Sequence, residues 1–485
     1  MIYQSGCGRL NPRSSSEFQP KMSIDLSLDR IQRLLHVLPP YTRPTIHVAG
    51  TNGKGSVCAL LGSILYASSL KVGRFNSPHL LSIYDCIVLG GDNVSPDLYH
   101  RARDEVEGVA KQHGIQPSSF EILTLTALRV FEHEQVDIVI MEVGMGGRLD
   151  ATNVIPDEYI LASVLTSVDL DHQAFLGNTV SAIAFEKASI ARPGKPFVIG
   201  KQVHPEASSV AEDVATNKGA IVYHPNTVLK ADWDPSIDGT EQLVFSLSPD
   251  SFQPPSPLPI SASLPGFSAP VHALFPLHGE HQLDNLSLAL RVVSVLPFDM
   301  TRAAISHGIQ SVRWPGRLSF HPLPDKGAVV LADGAHNPAS ALTLSAYVHH
   351  LSSLLPLNTK LSLTYVLALS HSPPKTPLQT LSAMLPHRSA DLDTLGDVRV
   401  AVLRFSPPEG MPWVTAVPPT GLRDVVHSLL PSAPIWVEDV ENGGLAQALD
   451  WAAQRSPKEE GEQHLIVLAG SLYLVADFYR LLNDK

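Results

Sequence analysis

In the first half of the chain, short apolar runs of strand length alternate with stretches whose apolar residues recur at helical spacing. The runs cover 45–49, 137–141, 160–165 and 196–199. Helical spacing follows the first of them at Val57, Leu60, Leu61 and Ile64, and returns over 283–295. This alternation predicts an α/β fold, a parallel sheet covered by helices on both faces. From about 225 to 275 the text turns rich in Pro and Ser with short alternating pieces such as 242–247, which reads as a peripheral β segment with loops.

Arg313-Trp314-Pro315-Gly316-Arg317 then punctuates the chain, because a helix cannot run through Pro315. Beyond this stiff connector, apolar runs at 328–332, 361–369, 398–405, 435–438 and 465–469 predict a second, smaller α/β domain. The stretch 370–419 is long and Pro-rich, and part of it is expected on the surface as a loop. The expected division is a disordered tail at 1–22, a first domain at 23–312 and a second at 313–485.

Composition narrows the function classes. With 485 residues the chain exceeds one ordinary core, since domains run about 100–200 residues. Hydrophobic residues at 44% and charged ones at 17% describe a soluble globular protein, and no apolar run reaches the roughly 18 residues of a membrane span. Lys and Arg number 35 against 47 Asp and Glu, a formal charge of -12. That balance disfavours nucleic acid as the bulk partner, so any bound anion must be held locally. Cys7, Cys58 and Cys86 form no CxxC pair and no disulfide framework, which fits a reducing compartment and no catalytic thiol. The first 21 residues carry Arg9, Arg13 and Lys21 with Glu17 as the only acid, and lack the apolar stretch of a secretory signal. A tail is expected there rather than a transit peptide, with Met22 as an alternative start.

The chemistry begins where the strand-like 45–49 run enters Gly50-Thr51-Asn52-Gly53-Lys54-Gly55-Ser56 and a helical pattern follows. Glycines let backbone N–H groups turn inward on a phosphate, the helix N-terminus adds its positive dipole end, and Lys54 can reach the terminal phosphates. The strict pattern has Ser or Thr directly after the lysine; here Gly55 precedes Ser56, so this is a variant loop. A Gly-rich turn with a solvated lysine is the bland alternative. A second strand delivers Glu142-Val143-Gly144-Met145-Gly146-Gly147-Arg148-Leu149-Asp150 at its C-terminal end, where parallel sheets place ligands. A carboxylate there can hold Mg²⁺ against nucleotide phosphates. A third strand ends in Thr166-Ser167-Val168-Asp169-Leu170-Asp171-His172, where His172 is either a second metal ligand or a histidine satisfied at a strand end. Lys187 follows on a helix, where an ordinary exposed lysine is the alternative.

These stretches together resemble the folylpolyglutamate synthase and dihydrofolate synthase family, relatives of the Mur ligases. The likeness runs from about residue 23 to 480 and rests on an ordered set of motifs. It takes in Ile24-Asp25-Leu26-Ser27-Leu28, the loop at 50–56, Ser77-Pro78-His79-Leu80, the 142–153 stretch, Asp171-His172 and Glu186-Lys187-Ala188. It continues through His278-Gly279-Glu280-His281-Gln282 with Asn285, Trp314-Pro315-Gly316-Arg317, Asp333-Gly334-Ala335-His336-Asn337 and Gly470-Ser471-Leu472-Tyr473. The resemblance implies a Mur ligase-like architecture: an N-terminal phosphate-loop ATPase domain on a parallel sheet and a smaller C-terminal Rossmann-like domain, closing over the substrates. By matching motif, Gly53, Lys54, Gly55 and Ser56 would hold the phosphates, with Asn285, Arg317 and Asp333 on ATP. Ser77, Glu142 and His172 would ligate Mg²⁺, and Lys187 matches a lysine that is carbamylated in the family, so the resemblance implies the same modification here. Asp333 and His336 would complete the catalytic set from the second domain. The pterin would meet Asp25, Leu26, Ser27, Ser118, Ser119, Phe120, Glu121, Leu149, Asp150 and Ala151. His336 and Ser471 would lie on the glutamate side, although a helix N-cap is an equally ready role for Ser471.

The implied reaction is physically coherent. A carboxylate repels an amine and offers only an oxide leaving group, whereas an acyl phosphate made from ATP offers phosphate. The protein must neutralise charge on the moving phosphoryl group and exclude water. Two domains joined near Trp314 provide a hinge for that. His336 or Asp333 would take the proton of the incoming ammonium group, or only position a substrate.

One segment departs from the family. Many members carry a basic and acidic pair before an isoleucine or valine after the Ser-Pro-His-Leu loop; here the text is Ser82-Ile83-Tyr84-Asp85-Cys86-Ile87. The Asp-Cys-Ile variant resembles the fungal dihydrofolate synthase branch, and Asn52 in the phosphate loop is unlike the eukaryotic folylpolyglutamate synthase branch; both favour dihydropteroate as acceptor. The alternatives are folylpolyglutamate synthase or both activities, a nucleotide-binding module without ligase activity, and a metal-dependent hydrolase on His172, His278 and His281. ATP and Mg²⁺ are the expected cofactors, with a monovalent cation as a further expectation. The expected partners are small molecules, without nucleic acid or membrane, on a monomer in the cytoplasm or, alternatively, the mitochondrion.

Overall fold

The computed structural model describes residues 27–239, 242–357, 359–386, 395–411, 413–439, 443–454 and 462–483. The expected tail, with Asp25 and Leu26, lies outside them. The first domain is built on eight strands: β1 (Thr45–Ala49), β2 (Val72–Phe75), β3 (Ile87–Leu89), β4 (Asp92–Asn93), β5 (Ile138–Glu142), β6 (Ile160–Leu165), β7 (Pro196–Ile199) and β8 (Ile221–Tyr223). Their order is β4-β3-β2-β5-β1-β6-β7-β8, parallel from β2 to β8, with β3 and β4 antiparallel at one edge. The strand expected at 137–141 sits one residue later because Asp137 is spent on the preceding turn, its carboxylate accepting from the Lys71 N–H at 2.7 Å.

Helix Lys54–Ala67 is apolar nearly all round, with Val57, Cys58, Leu60, Leu61, Ile64 and Leu65 buried. Such a helix is stable only when covered on several sides. It lies between the sheet and helices His281–Val295 and Arg302–Ser311, and the last crosses so closely that a Cβ at Gly308 would stand 2.4 Å from the Ile64 Cα. The sheet's other face packs on Asp29–Val37, Pro96–Gln112 and Ser119–His133, and further along on Val180–Ala188 and Pro205–Asn217.

The 225–275 stretch differs from its expected peripheral role. It forms β9 (Val228–Lys230), β10 (Leu258–Ala262) and β11 (Val271–Phe275), an antiparallel sheet in the order β11-β10-β9. Ile260, Ala262, Val271, Ala273 and Phe275 of its inner face are part of the main core. The 242–247 piece is not a strand; only Ser246 makes a bridge, to Gln253. Its alternation arises because Phe245 and Leu247 are buried in the second domain's core, beside Phe252 and Phe320.

The second domain carries β12 (Ser319–Leu323), β13 (Ala328–Ala332), β14 (Lys360–Leu367), β15 (Leu395–Val402), β16 (Ile435–Val437) and β17 (Glu462–Ala469), in the order β12-β13-β17-β14-β15-β16. All pair in parallel except β12. The sequence pattern missed β12, whose Pro322 is tolerated because it lies on an edge. Within the Pro-rich 370–419 stretch the described residues contain helix Pro377–Met384 and β15, with loops at 370–376, 403–411 and 413–418.

Candidate active site

Beyond β1 the chain must turn sharply into the helix that opens at Lys54, and glycine makes this turn possible. Gly50 has φ +148, and a Cβ there would stand 1.8 Å from Thr166 Oγ1; Gly53 has φ +90, and a Cβ there would stand 2.5 Å from Asn285 Oδ1. The loop is tied down from β6: Thr51 and Asn52 donate their N–H groups to Ser167 O, and Thr166 Oγ1 donates to Asn52 O at 2.7 Å. Ser56 is buried at the helix start, where Gln282 Nε2 donates to its hydroxyl at 3.3 Å, and Asn285 Nδ2 donates to Gln282 Oε1 at 2.9 Å. Helix His281–Val295 thus lays an amide row against the loop. These amides and the free helix N–H groups suit a polyphosphate.

Parallel pairing of β2, β5, β1 and β6 brings the ends of these strands side by side. Glu142 is buried at the end of β5, its Oε1 3.9 Å from Lys54 Nζ and its Oε2 accepting from Asn76 Nδ2 at 2.7 Å. Burial pushes its carboxyl upward, and Lys54 and Asn76 oppose that. His172 stands in the left-handed region at φ 52. Burial pushes it down to about 4; Asp171 opposes this, while Lys187 and Lys54 add to it. It is therefore a neutral imidazole at pH 7, the form that ligates a metal. Lys187 is no exposed lysine. It is 3% exposed and donates to Gly50 O at 2.9 Å, and burial followed by Lys54 lowers it to about 7. A buried amine that titrates near neutrality is a nucleophile at physiological pH.

The donor set expected from the resemblance is Ser77, Glu142 and His172, of which Glu142 is buried beside Lys54 and His172 lies near Lys54 and Lys187. No group of three or more His, Cys, Asp or Glu suited to a metal occurs among the described residues. The hydrolase alternative loses its basis: His278 packs on Phe320 and Tyr347 with centroids 5.6 and 5.7 Å away.

The second domain faces this site through the 333–337 turn after β13. Asp333 accepts from Leu318 N at 2.9 Å and Ala335 N at 2.8 Å, one bond on each oxygen. These bonds hold the connector rather than leave a free base. His336 Nδ1 stands 2.8 Å from Gly334 O, so this nitrogen carries the proton and donates. A Cβ at Gly334 would lie 2.8 Å from Arg317 Nη1, so any larger residue there would push the guanidinium aside. Ser471 is buried, and its Oγ accepts from Tyr473 N at 3.2 Å, which is the helix-cap role.

Asp171 joins the halves. Its Oδ2 accepts from Asn337 Nδ2 at 3.2 Å and lies 3.6 Å from His336 Nε2, and its Oδ1 lies 3.8 Å from Lys375 Nζ. Burial pushes the carboxyl up, but His336, Lys375 and His172 outweigh it and hold it well below the usual range. Asn337 Nδ2 also reaches Asn52 Oδ1 at 3.2 Å. Asn76 and Lys375 had no motif to announce them, and Asn337 lay in a recognised motif without a role.

The expected pterin residues divide. Ser118 and Glu121 form a reciprocal cap on helix Ser119–His133, and Glu121 also pairs with Arg30 at 3.4 Å. Ser119 begins that helix. Asp150 uses both oxygens on Met145 N, Thr152 N and Thr152 Oγ1. Ala151 is buried, while Phe120, which fills the space over Gly144, and the exposed Leu149 offer apolar surface. Ser27 precedes the first helix, and Asp25 and Leu26 lie outside the described residues.

Comparison with known proteins agrees with this architecture. Residues 316–481 match the family description "Dihydrofolate synthetase, C-terminal domain". A Saccharomyces cerevisiae protein named dihydrofolate synthetase is 33% identical over 96% of this chain and 99% of its own. Mycobacterium tuberculosis folylpolyglutamate synthase, solved with ADP and AMPPCP, superposes with a TM-score of 0.74 at 28% identity, covering 95% of this chain and 96% of that one. Escherichia coli FolC, solved with DHPP and ADP, gives a TM-score of 0.71 at 27% identity, covering 96% of this chain and 95% of that one.

Proposed function

The chain belongs to the dihydrofolate synthase and folylpolyglutamate synthase family, and from that premise we propose that it joins L-glutamate to 7,8-dihydropteroate at the expense of ATP, giving 7,8-dihydrofolate, ADP and phosphate. The observation that carries this reading is the junction of the nucleotide-type loop of one domain with the 333–337 turn of the other, through Asn52, Asp171, His336 and Asn337. A site shared by two domains is what a water-sensitive acyl phosphate requires.

In this reading Gly53, Gly55 and Ser56 cradle the phosphates and Lys54 sits against the terminal one. Arg317 adds positive charge from the second domain, while Asp333 fixes the connector that carries it. Ser77, Glu142 and His172 hold Mg²⁺, which when bound neutralises phosphate charge. A carboxylate oxygen of dihydropteroate attacks the γ-phosphorus and ADP leaves. Once the glutamate ammonium group has given one proton to solvent, its amine attacks the acyl carbon, phosphate leaves with the bonding pair, and the second nitrogen proton passes to His336 Nε2. Lys187 is carbamylated: its unprotonated amine adds to CO2 and loses a proton, giving an anion that supports the cation site. Phe120 and Leu149 provide the apolar wall for the pterin, and Ser118, Glu121 and Asp150 hold that wall in shape. A monovalent cation is carried over from the resemblance, and replacing potassium by tetramethylammonium tests it.

No helix among the described residues is long and apolar enough to cross a membrane. We take the working state to be a cytoplasmic monomer, which light scattering and cell fractionation check. The deciding experiment offers dihydropteroate in one tube and tetrahydrofolate in another, with Mg-ATP and labelled glutamate. Product from dihydropteroate alone is expected; product from tetrahydrofolate alone assigns chain extension instead, and no product in either restores the non-ligase alternative.

A further inference from the structure

The segment that departs from the family pattern has a defined job in the fold. Leaving β2, the chain passes Asn76, whose N–H donates to Cys86 O at 2.9 Å and whose amide holds Glu142. It then makes a loop over 77–82 that Asp85 organises from within. The Asp85 carboxylate accepts three backbone N–H groups, from Leu80 at 2.9 Å, Leu81 at 2.7 Å and Ser82 at 3.0 Å. Three donors on one charged acceptor fix the direction of the peptides that bear the Leu80, Leu81 and Ser82 N–H groups. They turn the Leu80 side chain and the Leu81 carbonyl away from the first domain.

Both features dock on the second domain. Leu80 packs against the apolar cluster that contains Leu474, Val475 and Phe478. Arg480, two residues further along helix Leu472–Asn483, donates from Nη2 to Leu81 O at 3.3 Å, and its Nη1 is braced by Asp477 at 2.8 Å. The loop bearing Ser77 is thus formed by one domain and held by the other.

We propose that Asp85 and Arg480 are positioning residues for the ligase reaction: they hold the 77–82 loop against the second domain, so that the Ser77 hydroxyl is presented to the divalent ion only when helix Leu472–Asn483 is docked. Ion capture and domain closure are then one equilibrium. The proposal rests on Ser77 being a metal ligand, and the test separates the two claims.

Mn²⁺ is titrated into protein saturated with ADP, without acceptor or glutamate, and the free ion is followed by its paramagnetic signal against an ADP blank. Ser77→Ala, Arg480→Gln, Asp85→Asn and the Ser77→Ala/Arg480→Gln double variant are compared with wild type, each checked for cooperative melting. Arg480→Gln and Asp85→Asn are expected to weaken Mn²⁺ binding roughly tenfold, the low end for outer-shell partners of a metal. Asp85→Glu restores part of the loss, and the double variant binds no worse than Ser77→Ala alone. Should Arg480→Gln fail to fold, Leu80→Ala removes the apolar half of the same contact and carries the same expectation. Wild-type binding by Arg480→Gln, or losses that multiply in the double variant, overturn the positioning role while leaving Ser77 a ligand. Wild-type binding by Ser77→Ala overturns the ligand assignment itself, and the proposal with it.

Discussion

Replacing Asp171 with Asn removes one negative charge from the junction of the two domains. The carboxylate is 9% exposed and is opposed from the second domain by His336 at 3.6 Å, Lys375 at 3.8 Å and the Asn337 amide at 3.2 Å. The Asn side chain fits the same volume, yet one of its two ends must present N–H groups to a partner that is itself a donor. A hydrogen bond to a charged group is worth about 1.5–3 kcal/mol. Taking about 2 kcal/mol for the closed arrangement gives roughly a 30-fold fall in kcat/KM for glutamate. Asn337→Ala, on the opposite side of the contact, should produce a loss of the same kind, and the double variant should fall short of the product of the singles. The acid limb adds a second readout. Because the folded carboxyl titrates well below the unfolded one, its stabilisation is fully present above about pH 4 and drains away only as the pH falls further. The variant should lose that part of its acid sensitivity. Steady-state kinetics with glutamate varied, X-ray scattering for domain separation and melting at pH 3–7 measure these effects. An unchanged kcat/KM in Asp171→Asn, or a silent Asn337→Ala beside a damaged Asp171→Asn, would refute the junction argument.

Lys187 is lowered to about 7, so the unfolded chain binds more protons between about pH 7 and 10.4 and stability should rise with pH across that window. Melting in CO2-free buffer should show this slope and Lys187→Met should lack it; with ¹³C-labelled CO2, wild type should give a carbamate resonance that Lys187→Arg lacks, with activity down about a hundredfold. Gly334→Ala drives a Cβ against Arg317 Nη1; kcat should drop about tenfold with little change in melting temperature. Phe245→Ala empties a buried place in the second domain's core and should cost about 3 kcal/mol, read as a fall in melting temperature of about 6–12 °C.

What was legible in the sequence, and what was not, follows from how each interaction is encoded. The phosphate loop could be read because its chemistry is local: Gly50 and Gly53 need conformations that few residues adopt, and Lys54 opens the next helix. Strands β1, β6 and β7 could be read to the residue because they are buried throughout or nearly so. β12 could not, since an edge strand with Pro322 has no continuous apolar run. The alternation at 242–247 misled for the same reason that it was noticed. Period two says that Phe245 and Leu247 share a face, but not that the face belongs to another domain. Lys187 was balanced between surface and site, because burial is a property of the packed helix and not of its own motif. The junction was the least legible part, since Asp171 meets Asn337 166 positions along the chain and Arg480 meets Leu81 399 positions away. Such contacts leave only a residue type at each end. Asp85 shows the limit most clearly: beside a missing arginine it read as a departure from the family, and in the fold its three short bonds give the departure a mechanical purpose.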